Sequence, residues 1–120
     1  MLNAMDRDEF VRSALDKVDA LITWEPGLAI CCQNGQTGWG MALTVQANAQ
    51  SPDMAQETLS RRFEDAYRFR DCYVSMNGKQ TLILWHSWPK YDHEPGTPQR
   101  MMENLVALAG LPFPDLLNEF

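Results

Sequence analysis

The chain has 120 residues, and its 16 acidic and 10 basic side chains give a formal net charge of −6 at pH 7. This length is enough to bury a core without disulfides or metals, and the negative charge disfavours nonspecific attraction to nucleic acid or anionic lipid. We therefore expect a single domain over residues 1–120, with neither nucleic acid nor a membrane as its partner.

The cysteines are Cys31, Cys32 and Cys72, and an odd set that contains an adjacent pair does not predict a disulfide framework. Charged residues begin at Asp6, before an apolar signal sequence can develop, and no apolar run approaches the ~20 residues of a membrane span. These observations predict a cytoplasmic protein.

The first predicted element is a helix over residues 6–22, where apolar side chains recur at helical spacing. Asp6 is expected to cap it, with Glu9 as the second half of a capping-box-like pair. After a turn at residues 26–27, the patterns of residues 28–33 and 39–47 predict two strands joined by a glycine-containing loop.

A second helix is predicted to begin at Ser51-Pro52, because serine caps free amides and proline is tolerated at the first helical position. Its apolar stripe consists of Ala55, Leu59, Phe63, Ala66 and Tyr67. The opposite face is expected to be solvated because it carries charges of both signs, on Arg61, Glu64, Asp65 and Arg68.

Arginines are concentrated around the end of this helix, at positions 61, 62, 68 and 70. Such a cluster could attract an acidic peptide or RNA. Because Glu64, Asp65 and Asp71 lower its positive field, and exposed ion pairs are common, a solvated helix face is the favoured interpretation.

A second hairpin is predicted to join strands at residues 72–76 and 80–88 through a two-residue Asn77-Gly78 turn. The later strand carries large side chains on both faces, so we expect a central strand that is covered from two directions. A last helix over residues 98–109 should end at Gly110. The order helix-strand-strand-helix-strand-strand-helix predicts an α+β fold with a mainly antiparallel sheet.

Few residues indicate chemistry. His86 and His93 lie near Asp92 and Glu94, but their spacing matches no familiar set of metal ligands. No basic residue adjoins Cys31 and Cys32 to lower a thiol pKa, so both are expected to be buried as small apolar groups. We predict no catalytic residue, no metal and no cofactor.

Methionine and tryptophan are more abundant than a core of this size requires, with 7 and 4 residues respectively. Such side chains are favoured on surfaces that accommodate varied partners. The strand at residues 80–88 is apolar on both sides, and three helices are few to cover both faces of its sheet. We therefore expect an exposed apolar patch that binds a protein partner or a second copy of the chain.

The order of elements resembles the class I chaperones of bacterial type III secretion. The similarity lies in a first amphipathic helix leading into a hairpin, a middle helix, a strand that ends near residues 85–89, a polar loop and a last amphipathic helix over residues 98–109. It implies a bacterial, cytoplasmic homodimer, either a chaperone or a regulator of the same fold, that holds an extended segment of a secreted effector or regulator protein. It implies no need for ATP or a metal.

Two sets of residues follow from this resemblance. The expected dimer contacts are Leu59, Phe63, Tyr67, Ile83 and Trp85. The expected partner-binding grooves are formed by Phe10, Val11, Leu15, Trp39, Met41 and Leu43. Apolar side chains of the partner would enter these grooves while strand edges pair with its extended backbone.

Two alternatives stay open. One is a small enzyme or ligand-binding domain that uses His86 with a carboxylate such as Asp71 or Asp92. The other is a structural subunit that docks through the apolar tail over residues 111–120, whose large side chains are Phe113, Leu116, Leu117 and Phe120. We expect this tail to pack on its own domain or on a second copy, because such groups are costly to leave in water.

Overall fold

The computed structural model describes residues 1–90 and 94–117. These residues form one sheet and three helices. In chain order the elements are β1 (Leu2–Asn3), α1 (Arg7–Leu15), β2 (Ala20–Glu25), β3 (Leu28–Gly35), β4 (Gly38–Val45), α2 (Met54–Glu64), β5 (Cys72–Met76), β6 (Leu82–Ser87) and α3 (Thr97–Ala109). Short 3-10 turns lie at Ala47–Ala49 and Asp115–Leu117.

The sheet has the order β1-β2-β3-β4-β6-β5. Every neighbouring pair is antiparallel except β1 with β2, which is parallel over two residues. The predicted α+β fold with a mainly antiparallel sheet is therefore confirmed. The predicted order of elements lacked β1 and one of the strands between the first two helices.

The first helix is shorter than predicted. Asp6 is its N-cap and accepts a hydrogen bond from the Glu9 amide at 2.9 Å, as expected. Lys17 has a left-handed backbone, with φ of 58°, which helical residues do not adopt. The chain beyond it forms β2, in which Ile22 pairs with Ile30 of β3 and is buried. A period-two pattern thus replaces the helix predicted for residues 20–22.

The core lies between the sheet and the helices. One face of the sheet contributes the side chains that alternate inward along β2, β3, β4 and β6, including Ile22, Ile30, Leu43 and Leu84. Phe10 of α1 and most of α3 pack against them. Because α1 and α2 both contact α3, the helices share this one face.

The opposite face of the sheet, called the outer face, is formed by residues such as Cys31, Ala42, Ile83, Trp85 and Tyr73. β6 is central, between β4 and β5, as predicted. The predicted cover from two directions is partial in the described residues, because Ile83 and Trp85 on the outer face of β6 are half-buried. The indole of Trp85 lies across Gly35 and Gly40 of the neighbouring hairpin.

The turn between β5 and β6 also differs from its prediction. The ladder closes with Met76 opposite Leu82, so the connection is longer than two residues. Asn77 Oδ1 accepts hydrogen bonds from the amides of Lys79 (2.9 Å) and Thr81 (3.1 Å). The left-handed backbone belongs to Gln80, with φ of 65°. A longer turn, in which the Gln80 amide donates to the Asn77 carbonyl at 3.0 Å and the asparagine side chain binds downstream amides, thus replaces the predicted two-residue turn.

The later helices set the remaining boundaries. α2 begins at Met54 after Asp53, so the predicted serine cap at Ser51 is wrong. α3 agrees with its prediction to within one residue and ends at Gly110, which is left-handed with φ of 73°. No helix among residues 1–90 and 94–117 combines the length and apolarity needed to cross a bilayer.

The C-terminal segment covers its own domain. Leu117 is fully buried, and its carbonyl accepts a hydrogen bond from the Gln99 amide group at 3.1 Å. Phe113 packs against the core, whereas Leu116 is 40% exposed. Phe120 lies outside the described residues.

Candidate protein-binding surface

Helix α2 presents its apolar side to solvent. Its buried residues are Met54 and Thr58, whereas Leu59 is 44% exposed and Phe63 78% exposed. Tyr67, in the turn segment after the end of α2, is 80% exposed. Leu59 and Phe63 are four residues apart and lie on one side of the helix, and Tyr67 follows them beyond Asp65, where the helical backbone ends. We call these three residues the α2 surface.

Arginines attach the other side of α2 to the domain. Arg61 Nε donates to the carbonyl of Leu108 at 2.9 Å, and Arg62 Nε donates to the carbonyl of Cys72 at 2.9 Å. Arg61 also lies against Gly110 at the end of α3. Arg61 was predicted to face solvent, and its side chain is 31% exposed, with Nη1 4.0 Å from Oε2 of Glu57. Towards its C-terminal end α2 thus places guanidinium groups against the domain and the ring of Phe63 in solvent, whereas Met54 at its start is buried.

The edge strand β5 carries further exposed apolar side chains. β5 pairs with β6 on one side, and Tyr73 and Met76 are 55% and 44% exposed. Tyr73 lies opposite Trp85 on the outer face. The residues expected in a dimer contact thus fall into two groups, because Ile83 and Trp85 are half-buried on the outer face of β6, one strand in from the edge.

The residues expected to bind a partner differ in accessibility. Phe10, Met41 and Leu43 are fully buried in the core, where an extended segment cannot reach them. Val11 and Trp39 are half-buried at the edge of the core, and Leu15 is 37% exposed. A groove on this part of the molecule is limited to these last three residues.

Lys17 connects α1 to two tryptophans. Its Nζ lies 3.8 Å from the ring centroid of Trp88 and 5.5 Å from that of Trp39. Both distances are within the range of cation–π attraction. Partial burial lowers the pKa of Lys17, and the nearby Cys32 opposes this effect. The contact fixes the indole of Trp39 beside the end of α1.

A cleft of about 500 Å³ lies between the segment after α2 and the first turns of α3. Its lining includes arginines, two carboxylates, Asn104 and the buried His86. His86 Nδ1 lies 2.9 Å from the carbonyl of Ser87, and its Nε2 lies 3.3 Å from the amide nitrogen of Asn104. Burial lowers the pKa of His86, so the neutral ring donates from Nδ1 to Ser87 and accepts from Asn104 at Nε2.

The thiols do not form a reactive centre. Burial raises the pKa of Cys72 to about 12 and that of Cys32 to about 11. A thiol with so high a pKa is protonated at neutral pH and is a poor nucleophile. Among the described residues, no group of three or more histidine, cysteine or acidic side chains is placed to hold a metal ion.

The sequence missed two features of this surface. The exposure of Tyr73 and Met76 requires knowing that β5 is an edge strand, which the local pattern does not show. The sequence also did not show that the four arginines form two pairs. Arg61 and Arg62 bind carbonyls of the domain, whereas Arg68 and Arg70 line the cleft. Their spacing around the helix contained a signal, because positions 61 and 62 share a side with the buried Thr58.

Comparison with known proteins gives one match. A model of the family described as HrpV-like matches residues 5–114, which are 110 of the 120 residues. Neither a curated protein nor a solved structure matches the chain significantly. The match includes α1, the sheet from β2 onward, α2 and α3.

Proposed function

The chain belongs to the HrpV-like family, a family of type III secretion-associated regulators, and from this premise we propose that it is a non-enzymatic chaperone or chaperone-like regulator. In this role it forms a homodimer and holds an extended segment of a protein partner, an effector or a regulator of the secretion system. It works in the bacterial cytoplasm and uses no cofactor.

The observation that carries this proposal is the outward orientation of α2. Phe63 and Tyr67 are each about four-fifths exposed, although large aromatic groups stabilise a fold chiefly when buried. Exposed apolar patches rimmed by polar groups mark sites of protein association. The α2 surface therefore supports a dimer contact, with Ile83 and Trp85 of the outer face as its proposed continuation.

The partner segment is proposed to bind beside α1. Val11, Leu15 and Trp39 provide accessible apolar area there, and Lys17 fixes the Trp39 ring. An extended segment places every second side chain on one side, so its apolar residues can contact this groove while polar ones face water. Such a mode of binding keeps the partner unfolded and prevents its aggregation.

The alternative of an enzyme that uses His86 receives less support. Both ring nitrogens of His86 already have protein partners, Ser87 and Asn104, so neither is available to a substrate. Asp71 lines the same cleft as His86, whereas Asp92 lies outside the described residues. The geometry favours a structural role for this histidine.

Light scattering coupled to size-exclusion chromatography tests the proposed dimer. We expect the wild-type chain at micromolar concentration to have twice its monomer mass of 13.7 kDa. The double variant Phe63→Ser/Tyr67→Ser should have the monomer mass. Met5→Ser is the control, because Met5 is 80% exposed and belongs to the segment before α1, and it should remain dimeric. A monomeric wild-type chain would overturn the proposal.

A further inference from the structure

We propose that the cleft between residues 68–71 and α3 binds a carboxylate group of an acidic segment in the protein partner, with Arg68 and Arg70 as its ligands. This inference rests on the proposed function, because it assigns a charge pattern to the partner. Its site is separate from the groove beside α1 and adjoins the α2 surface at Tyr67.

The lining of the cleft brings positive charge together in an otherwise acidic protein. Arg68 and Arg70 line it together with Asp71 and Glu103, and Arg100 lines it too but pairs with Glu94 at 3.3 Å. Burial is the main cause of the lowered pKa of His86, to which the charge of Arg70 adds and which Asp71 opposes. The cleft therefore brings two arginines to one site in a protein whose net charge is −6.

Arg68 and Arg70 are held by neutral groups. Arg68 Nε donates to Oδ1 of Asn104 at 3.3 Å, and Arg70 Nη1 donates to the carbonyl of Tyr67 at 2.9 Å. Neither arginine forms an ion pair with a carboxylate of the described residues. By contrast, Arg7 pairs with the carboxylate of Asp8 at 2.6 Å. The charges of Arg68 and Arg70 thus remain available to a ligand.

A chain of hydrogen bonds fixes the position of Arg68. The neutral His86 accepts from the Asn104 amide nitrogen, which turns the Asn104 oxygen toward Arg68. The His86 ring is itself oriented by the carbonyl of Ser87. An arginine that is already positioned loses less conformational freedom when it binds, so more of the interaction energy appears as affinity.

A single carboxylate fits this cleft better than a phosphate or a nucleic acid. Guanidinium groups bind carboxylates through paired N–H donors, and a single carboxylate carries less negative charge than a phosphate dianion or a nucleic acid. Asp71 and Glu103 on the lining would repel a group of higher charge. The negative net charge of the whole chain further opposes a polyanion.

Tyr67 connects the cleft to the exposed apolar residues. The Arg70 guanidinium carbon lies 4.5 Å from the centroid of the Tyr67 ring, and Tyr67 belongs to the α2 surface. A peptide that places an acidic residue in the cleft therefore meets an aromatic side chain at its rim. The matching ligand is a segment in which aspartate or glutamate alternates with large apolar residues.

Fluorescence anisotropy with two labelled peptides tests this inference. One probe is a ten-residue peptide that alternates glutamate with leucine, and the other has glutamine in place of every glutamate. At low ionic strength we expect the wild-type chain to bind the glutamate probe at least about tenfold more tightly, as befits hydrogen bonds to a charged group. The preference should decline as salt screens the charges.

Charge-neutralising variants locate the effect. Arg68→Gln/Arg70→Gln should abolish the preference for glutamate, and Arg70→Gln alone should reduce it without disturbing Asn104. The matched control Arg12→Gln/Lys79→Gln removes the same charge from exposed positions that do not line the cleft, and it should retain the preference. Circular dichroism verifies that each variant is folded.

Each outcome has a distinct meaning. Equal binding of the two probes by a dimeric wild-type chain would overturn the inference and leave the proposed function standing. A preference that the control variant also loses would show that net charge, rather than the cleft, selects the ligand, and would overturn it as well. If inorganic phosphate displaces the glutamate probe at equimolar concentration, the cleft binds phosphate at least as well as carboxylate, and the inference is overturned. A monomeric wild-type chain would count against the proposed function independently.

Discussion

Trp85 lies flat across Gly40 on the outer face of the sheet, with its ring occupying the space that a Cβ on Gly40 would need. The same ring reaches Gly35, where a Cβ would lie 2.9 Å from Cη2 of the indole. The indole nitrogen donates to the hydroxyl of Ser87 at 3.2 Å. Glycine on β3 and β4 thus allows a tryptophan on β6 to cover part of a sheet face that the helices leave open.

Replacing Gly40 with alanine should destabilise the protein. The added methyl group collides with the Trp85 ring and also lies 2.6 Å from the carbonyl oxygen of His86, a backbone atom that cannot easily move. We expect the free energy of unfolding to fall by about 1–3 kcal/mol, measured by chemical denaturation. Gly78→Ala is the control, because nothing lies within 4 Å of its added Cβ. Equal stability of the two variants would contradict the packing of Trp85 over Gly40.

The orientation of α2 predicts an unusual order of mutational effects. Arg61→Ala removes a charged hydrogen bond to the Leu108 carbonyl and should cost about 1.5–3 kcal/mol of unfolding free energy. Phe63→Ser replaces an exposed ring and should change the same quantity by less than about 0.5 kcal/mol. Denaturation at nanomolar concentration, below the range of dimerisation, is the appropriate measurement. A larger cost for Phe63→Ser would mean that this ring is buried within the monomer.

The buried histidine predicts a loss of stability in acid. Burial lowers the pKa of His86 below its usual value of 6.5, so the unfolded chain takes up a proton that the folded chain resists. Stability attributable to His86 is complete above pH 6.5 and declines as the pH falls toward the folded pKa, by at most about 1.4 kcal/mol per pH unit. Denaturation of the wild type and of His86→Gln across this range measures the difference. Parallel pH profiles would show that His86 is not protected from protonation.

Leu117 should contribute most of the stability that the C-terminal segment adds to the domain. Its side chain is fully buried, so Leu117→Ala is expected to cost about 2–5 kcal/mol of unfolding free energy. Leu116→Ala is the matched control, since that neighbour is 40% exposed, and it should cost much less. Thermal denaturation compares the two variants. Similar midpoints would mean that the segment does not contribute to the core.

The sequence predicted an element correctly where its local pattern is compatible with only one structure. The helix at residues 97–109 combines an apolar stripe with a proline at its start and a glycine at its end, and each signal acts within the helix itself. The cap at Asp6 was predictable for the same reason. Period-two alternation likewise predicted β4.

The sequence failed where a distant contact decided the conformation. Residues 18–22 fit a helical pattern, but pairing with β3 gives Ile22 a buried position in a sheet. The stripe on α2 also has helical spacing, but spacing does not determine which side of a helix faces the core. The carbonyls of Leu108 and Cys72 determine it, since they accept from Arg61 and Arg62.

The proposed association through Phe63 and Tyr67 makes measured stability depend on protein concentration. A dimer that dissociates on unfolding has a melting temperature that rises with the total amount of protein, because mass action favours the associated form. Dilution then lowers the melting temperature without any change in sequence or buffer. Two samples of this chain are comparable only at equal molarity.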